Sequence, residues 1–79
     1  MMGMVCCQMD RELLEEALAV AERHISDAER DVARQRMVVA GLELCGRDTS
    51  RATHLLRQFE RSLAILVANR NRLRKELAD

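Results

Sequence analysis

Apolar residues recur along the first half of the chain at alternating steps of four and three, and Gln35 is the only polar member of the run. This is the heptad pattern of a helix that packs against another helix. It predicts a first helix over about residues 10–45. The positions are Leu14, Leu18, Ala21, Ile25, Ala28, Val32, Gln35, Val39 and Leu42.

A second run of the same kind predicts a second helix over about residues 49–78. Leu55, Ile65 and Val67 widen its apolar face beyond what one neighbouring helix covers, which indicates more than one partner helix. The run consists of Leu56, Phe59, Leu63, Leu66, Arg70, Leu73 and Leu77. The interface residues we expect are Leu55, Phe59, Leu63, Leu66, Val67, Ile25, Val32 and Val39.

The two runs are separated by a single break, "ELCGRDTSRAT" at residues 43–53. Gly46 is placed to adopt the left-handed conformation that ends a helix. Asp48 or Thr49 can accept hydrogen bonds from the first free amides of the second helix. A corner this short, at about residues 46–48, forces the two helices to run antiparallel.

The predicted fold is therefore all-α: an antiparallel, coiled-coil-like hairpin over residues 10–79 that dimerises into a four-helix bundle. We expect residues 1–9 to form a flexible N-terminal segment. Met9 begins "MDRELLEE", an acidic first turn that resembles a helix start. Translation from Met9 rather than Met1 is an alternative.

Charge is distributed unevenly along this neutral chain of 79 residues. Residues 1–46 hold five arginines and nine acidic residues, a net charge of −4, whereas residues 47–79 have a net charge of +4. Two segments of opposite charge favour packing against each other. The alternative is that each segment recruits an oppositely charged partner.

The sequence offers little for catalysis, metals or cofactors, and we expect none of the three. His24 and His54 would lie roughly 20 Å apart along the hairpin, too far to share a metal ion. Cys6, Cys7 and Cys45 have neither zinc-ligand spacing nor a paired histidine. Nothing resembles a glycine-rich phosphate loop, and two helices form no deep pocket.

The most basic stretch is "RNRLRK" near the end of the second helix. Its cations could follow a phosphate backbone, although no aromatic residues are interleaved with them. We keep a small nucleic-acid-associated protein as the alternative function, but do not expect nucleic acid to be the partner. The possible contacts are Arg70, Arg72, Arg74 and Lys75.

Three residues interrupt the apolar runs or the helix that contains them. Gln35 and Arg70 occupy stripe positions, where polar groups reduce stability but fix the register of packed helices. Gly41 costs about 1 kcal/mol relative to alanine in a helix. We favour a close-packing contact at Gly41 over a local weak point.

Three segments of the chain, "ERDVARQR", "GRDTSRATHLLRQFERS" and "ANRNRLRKEL", resemble a group of small, uncharacterised bacterial hairpin proteins. Shared features are an Arg-Gln-Arg late in the first helix, a Gly-x-Asp-Thr corner and an Arg-x-Arg-Leu ending. The resemblance covers about residues 20–76. Such proteins often carry more histidines than this chain. The resemblance implies a hairpin fold but no particular activity.

These patterns together favour a non-catalytic structural or regulatory module that acts through self-association. We expect a homodimer, an additional protein partner of unknown identity, and no membrane association. The N-terminal residues lack the features of a signal peptide, so a cytoplasmic location is expected.

Overall fold

In the computed structural model the backbone is described for residues 2–78 and the side chains for residues 11–78. Two helices, α1 (Met2–Leu44) and α2 (Ser50–Ala78), make up this part of the chain, and it contains no strand. They pack against each other in a rod of 67 × 16 × 14 Å. The all-helical, two-helix fold predicted from the sequence is confirmed.

The long helices follow from a composition rich in Ala, Leu, Arg and Glu and without proline. α1 begins at Met2 rather than near residue 10. Because the side chains of residues 1–10 lie outside the described part, the expected flexible segment at residues 1–9 stays a prediction. The ends of α1 and α2 at the corner, Leu44 and Ser50, lie within one residue of those expected.

The core is a single seam between the two helices. Every position of the predicted stripe on α1 is buried or half-buried, and every other side chain from residue 11 to residue 44 is exposed. The seven stripe positions of α2 are likewise buried or half-buried. The buried residues are Ala21, Ile25, Val32 and Leu73.

Gly46 closes α1 in the left-handed conformation predicted for it, with a φ of 67°. Its amide donates to the carbonyl oxygen of Glu43 at 3.1 Å, and the amide of Arg47 donates to that of Leu42 at 2.9 Å. These two bonds form a Schellman motif, which satisfies carbonyls that the helix end would otherwise leave free. The chain can therefore reverse direction within a few residues.

Asp48 and Thr49 start α2 in different ways. The Asp48 Oδ1 accepts hydrogen bonds from the amide of Ser50 at 3.0 Å and from its hydroxyl at 2.7 Å. The carbonyl oxygen of Thr49 accepts the first helical bond, from the amide of Thr53 at 2.8 Å. Asp48 therefore supplies the side-chain acceptor expected at this corner, and Thr49 acts through its backbone.

Candidate interaction surface

The two sides of the seam differ in chemistry. On one side, Arg36 Nη2 lies 3.1 Å from Glu60 Oε2, and Arg74 Nη2 lies 2.8 Å from Glu22 Oε2. We call these four residues the ionic flank. They lie at equivalent heptad positions of the two helices, an arrangement that antiparallel packing produces. The second pair also joins the acidic first segment to the basic second segment, as the charge distribution suggested.

The opposite side of the seam lacks such pairs among the described residues and holds most of their exposed large apolar side chains. Of the seven large apolar side chains exposed in the described part of the chain, five belong to this side by helical periodicity. We call these five the apolar flank. Its members are Leu13, Val20, Val38, Leu55 and Ile65.

A shallow groove follows the apolar flank over the half of the hairpin that lies away from the corner. Ala17, Val20 and His24 of α1 form one wall, and Leu66 and Asn69 of α2 form the other. A neighbouring depression shares Leu66 and Asn69 and extends along α2 past Ile65, Ala68 and Arg72. The two depressions adjoin each other at Leu66 and Asn69.

The predicted interface residues fall into three groups according to their burial in the described hairpin. Ile25 and Val32 are buried in the seam, so the hairpin itself uses them. Five others are half-buried, in the seam or on one of its flanks: Val39, Phe59, Leu63, Leu66 and Val67. Leu55, 39 % exposed, and Ile65, 65 % exposed, remain uncovered on the apolar flank. Val67 lies on the side of the ionic flank, so the predicted wide face of α2 is divided between the two sides.

The basic residues near the end of α2 are divided between two faces of the helix. Arg70 is half-buried at its stripe position and donates to the Oδ1 of Asn71. Arg72 donates to the Oδ1 of Asn69, and Arg74 pairs with Glu22 on the ionic flank. By helical periodicity Lys75 lies beside Arg72, and Arg70 lies beside Arg74, so the four residues form two pairs on two faces of α2. A phosphate backbone that follows one side of α2 would meet only part of this set.

Among the residues that the structure describes, no group of three or more His, Cys, Asp or Glu side chains could hold a metal ion. His54 is exposed and lies 3.3 Å from the amide of Gln58. The two hydrogen bonds from Ser50 hold the pKa of Asp48 below its usual value, which reflects its role in starting α2.

In the part of the chain that the structure describes, neither helix is long and apolar enough to cross a membrane.

Comparison with known proteins yields no relative: the chain matches no protein-family model, no curated protein and no solved structure. Its function must therefore be argued from the two flanks.

Proposed function

We propose that this protein is a non-catalytic interaction module that associates with a second copy of itself through the apolar flank, forming a four-helix bundle. The observation that carries the proposal is the asymmetry between the flanks. Charged pairs close the seam on one side, whereas five large apolar side chains stay in solvent on the other. Large apolar patches on small proteins mark interaction sites.

Energetics favour covering the apolar flank. Only four residues of the described hairpin are buried, so its own core is small. Complete burial of a fully exposed Val, Leu or Ile side chain contributes about 1.5–3 kcal/mol, and the side chains of the apolar flank are 39–65 % exposed, so each contributes a part of this. Covering several of them on two copies therefore yields a stabilisation comparable with the roughly 5 kcal/mol of a marginally stable domain.

Charge does not oppose the association of two copies. The chain has a formal net charge of zero at pH 7, so long-range repulsion between copies is weak. Within each copy, the charged pairs lie on the ionic flank and stay in water when the apolar flank is covered.

Sedimentation equilibrium under reducing conditions tests the proposal. We expect about twice the 9.0 kDa mass of the chain, and a melting temperature that rises with protein concentration. Ile65→Glu should shift the protein toward monomer because it places a charge in the interface. The adjacent Ala64→Glu is the matched control, since both residues are exposed on α2 but only Ile65 lies on the apolar flank. A folded species that stays at 9.0 kDa at all concentrations contradicts the proposal.

Nucleic-acid binding through Arg70, Arg72, Arg74 and Lys75 is the second proposal. It has less support because these residues are divided between two faces of α2 and three of them already make contacts within the hairpin. Two results would favour it: binding to a nucleic-acid duplex that weakens steeply as the salt concentration rises, and a lower affinity for that duplex in Arg72→Ala.

A further inference from the structure

The side of α2 that faces away from the seam carries cations and no acidic residue. This outer side consists of the three heptad positions farthest from the seam, and every residue at these positions is exposed. Both acidic residues of α2, Glu60 and Glu76, lie beside the seam instead. We call the five cations of the outer side the basic strip: Arg51, Arg57, Arg61, Arg72 and Lys75.

The outer side of α1 has a different charge. Over the described residues, the same three heptad positions of α1 hold three acidic residues and three arginines, so their charges cancel. The positive charge of the basic strip is therefore a property of α2 and not of every exposed helix face in this chain. The six charged residues on the outer side of α1 are Glu12, Glu16, Arg23, Asp27, Arg30 and Arg34.

We propose that the basic strip binds the phosphate backbone of a double-stranded nucleic acid, independently of its sequence. The inference rests on the second proposed function, nucleic-acid binding, and not on self-association. It changes the contact surface: Arg72 and Lys75 remain in it, Arg70 and Arg74 leave it, and the other three members of the strip enter.

The cations of the strip are available to an anionic partner. None of the five belongs to an ion pair among the described residues, whereas Arg74 is paired with Glu22 on the ionic flank. Arg72 donates a 2.9 Å hydrogen bond to Asn69, whose side chain is uncharged. A guanidinium group can donate two parallel hydrogen bonds to phosphate oxygens, and each phosphate that it neutralises releases counterions into solution.

The dimensions of the strip fit a linear polyanion. From Arg51 to Lys75 it extends about 36 Å along α2, close to the roughly 34–36 Å of one turn of a DNA duplex. Between its two groups of cations, the position that points straight outward is Ala68, with Ala64 beside it, and both are exposed. Short side chains there allow the backbone of a duplex to approach the helix between the two groups.

The composition of the outer side favours a duplex over other anionic partners. Phe59, the one aromatic residue of the sequence, is half-buried in the seam, whereas proteins that bind single strands stack exposed aromatic rings on the bases. Ile65 is the one large apolar residue on this side, at the edge shared with the apolar flank. A helix that lies in a membrane surface buries a whole face of such residues, and a protein interface needs an apolar core.

Fluorescence anisotropy with a labelled duplex of about 20 base pairs, roughly twice the length of the strip, tests the inference. At about 0.1 M salt, charges more than about 10 Å from a contact are largely screened. Arg57→Gln/Arg61→Gln should weaken binding by about tenfold or more under these conditions. The slope of the logarithm of the association constant against the logarithm of salt concentration should fall by about two, because two phosphate contacts are lost.

Arg23→Gln/Arg30→Gln is the matched control. It removes the same two charges, from exposed positions that point outward from α1, and should change the affinity by less than about threefold. Glutamine is a good helix former, so both double variants should keep the helix content of the original chain in circular dichroism. Equal effects of the two double variants would show that net charge alone decides binding, and would overturn the inference.

Arg70→Gln separates the inference from the second proposed function. Arg70 is half-buried at a stripe position and lies off the strip, so this variant should leave the salt slope unchanged. Binding that is lost in Arg70→Gln but kept in Arg57→Gln/Arg61→Gln overturns the role of the strip and leaves nucleic-acid binding standing. A chain that binds no duplex at about 0.1 M salt removes both, whatever its mass in sedimentation equilibrium.

Titrations in the same buffer test the choice of partner. A single strand of the same length and vesicles that contain phosphatidylserine should both bind more weakly than the duplex. Tighter binding to either of them overturns the assignment of a duplex. Two duplexes of unrelated sequence should bind with affinities within about threefold of each other, because phosphate contacts carry no sequence information. A larger difference overturns the sequence independence.

Discussion

Gln35 on α1 donates a 3.0 Å hydrogen bond from its Nε2 to the carbonyl oxygen of Ala52 in the first turn of α2. It is the one polar side chain in the seam of α1, and its contact joins the two helices close to the corner. A directional bond of this kind favours one register over the slipped registers that a purely apolar seam permits.

Gln35→Ala should lower the free energy of unfolding by about 1–2 kcal/mol, through loss of the hydrogen bond and of the half-buried side-chain stem. Gln58→Ala is the matched control, because Gln58 is exposed and its side chain forms its hydrogen bond within α2, to His54. Its effect should stay within about 0.5 kcal/mol. Urea denaturation followed by circular dichroism measures both, and equal effects would show that the bond to Ala52 contributes nothing.

The two glycines near the corner should respond to alanine in opposite directions. Neither Gly41 nor Gly46 has an atom within 4 Å of a built Cβ, so backbone conformation alone decides the outcome. Gly46→Ala should destabilise by about 1–2 kcal/mol because φ is positive there, and Gly46→Val by at least as much. Gly41→Ala should stabilise the helix by about 1 kcal/mol.

This pair of glycine variants is best compared in the Ile65→Glu background, where association should not contribute to stability. Thermal melts at one protein concentration give the change in melting temperature that each variant causes. A change of the same sign for both variants would contradict the left-handed conformation of Gly46.

Asp48 should make part of the stability depend on pH. Hydrogen bonds from Ser50 lower its pKa in the folded chain. The carboxylate therefore stabilises the fold above its unfolded pKa of about 3.9, and this contribution is lost as pH falls through the lower folded value.

Asp48→Ala should thus melt at a lower temperature than the original chain at pH 7, and the difference should shrink as the pH is lowered below about 3.9. Asp27→Ala is the control, since Asp27 is exposed and makes no ion pair among the described residues. A melting difference for Asp48→Ala that does not vary with pH would contradict this role of the carboxylate.

The Glu22–Arg74 pair should contribute little despite its short distance of 2.8 Å. About half of each side chain is exposed, and exposed pairs are worth about 0–1 kcal/mol. In a double-mutant cycle with Glu22→Gln and Arg74→Gln, the coupling should be below about 1 kcal/mol and should decrease further in 1 M salt. A larger coupling that resists salt would indicate that association shields the ionic flank.

The seam of the hairpin was predictable because its signal is local and periodic. A position such as Val32 or Leu73 is apolar, recurs at heptad spacing and is buried. Gly46 was predictable for a related reason: a lone glycine between two periodic runs marks a helix end, and its φ is indeed positive.

The apolar flank was harder to derive from the sequence. Apolar character alone groups Leu55, Ile65 and Val67 into one wide face. Their heptad positions place the first two on one side of the seam and Val67 on the other. A search for apolar residues alone does not separate the two sides of the seam, whereas assigning a heptad position to every residue does.

The shape of the hairpin has a kinetic consequence. Contacts across the seam join residues that are 17 positions apart at Gln35–Ala52, 24 apart at Arg36–Glu60 and 52 apart at Glu22–Arg74. The cost of closing a loop grows with its length, so the contacts nearest the corner form first and each one shortens the loop for the next. Folding should therefore proceed as a zipper from Gly46 outward, and amide hydrogen exchange should be fastest at the end of the rod farthest from it.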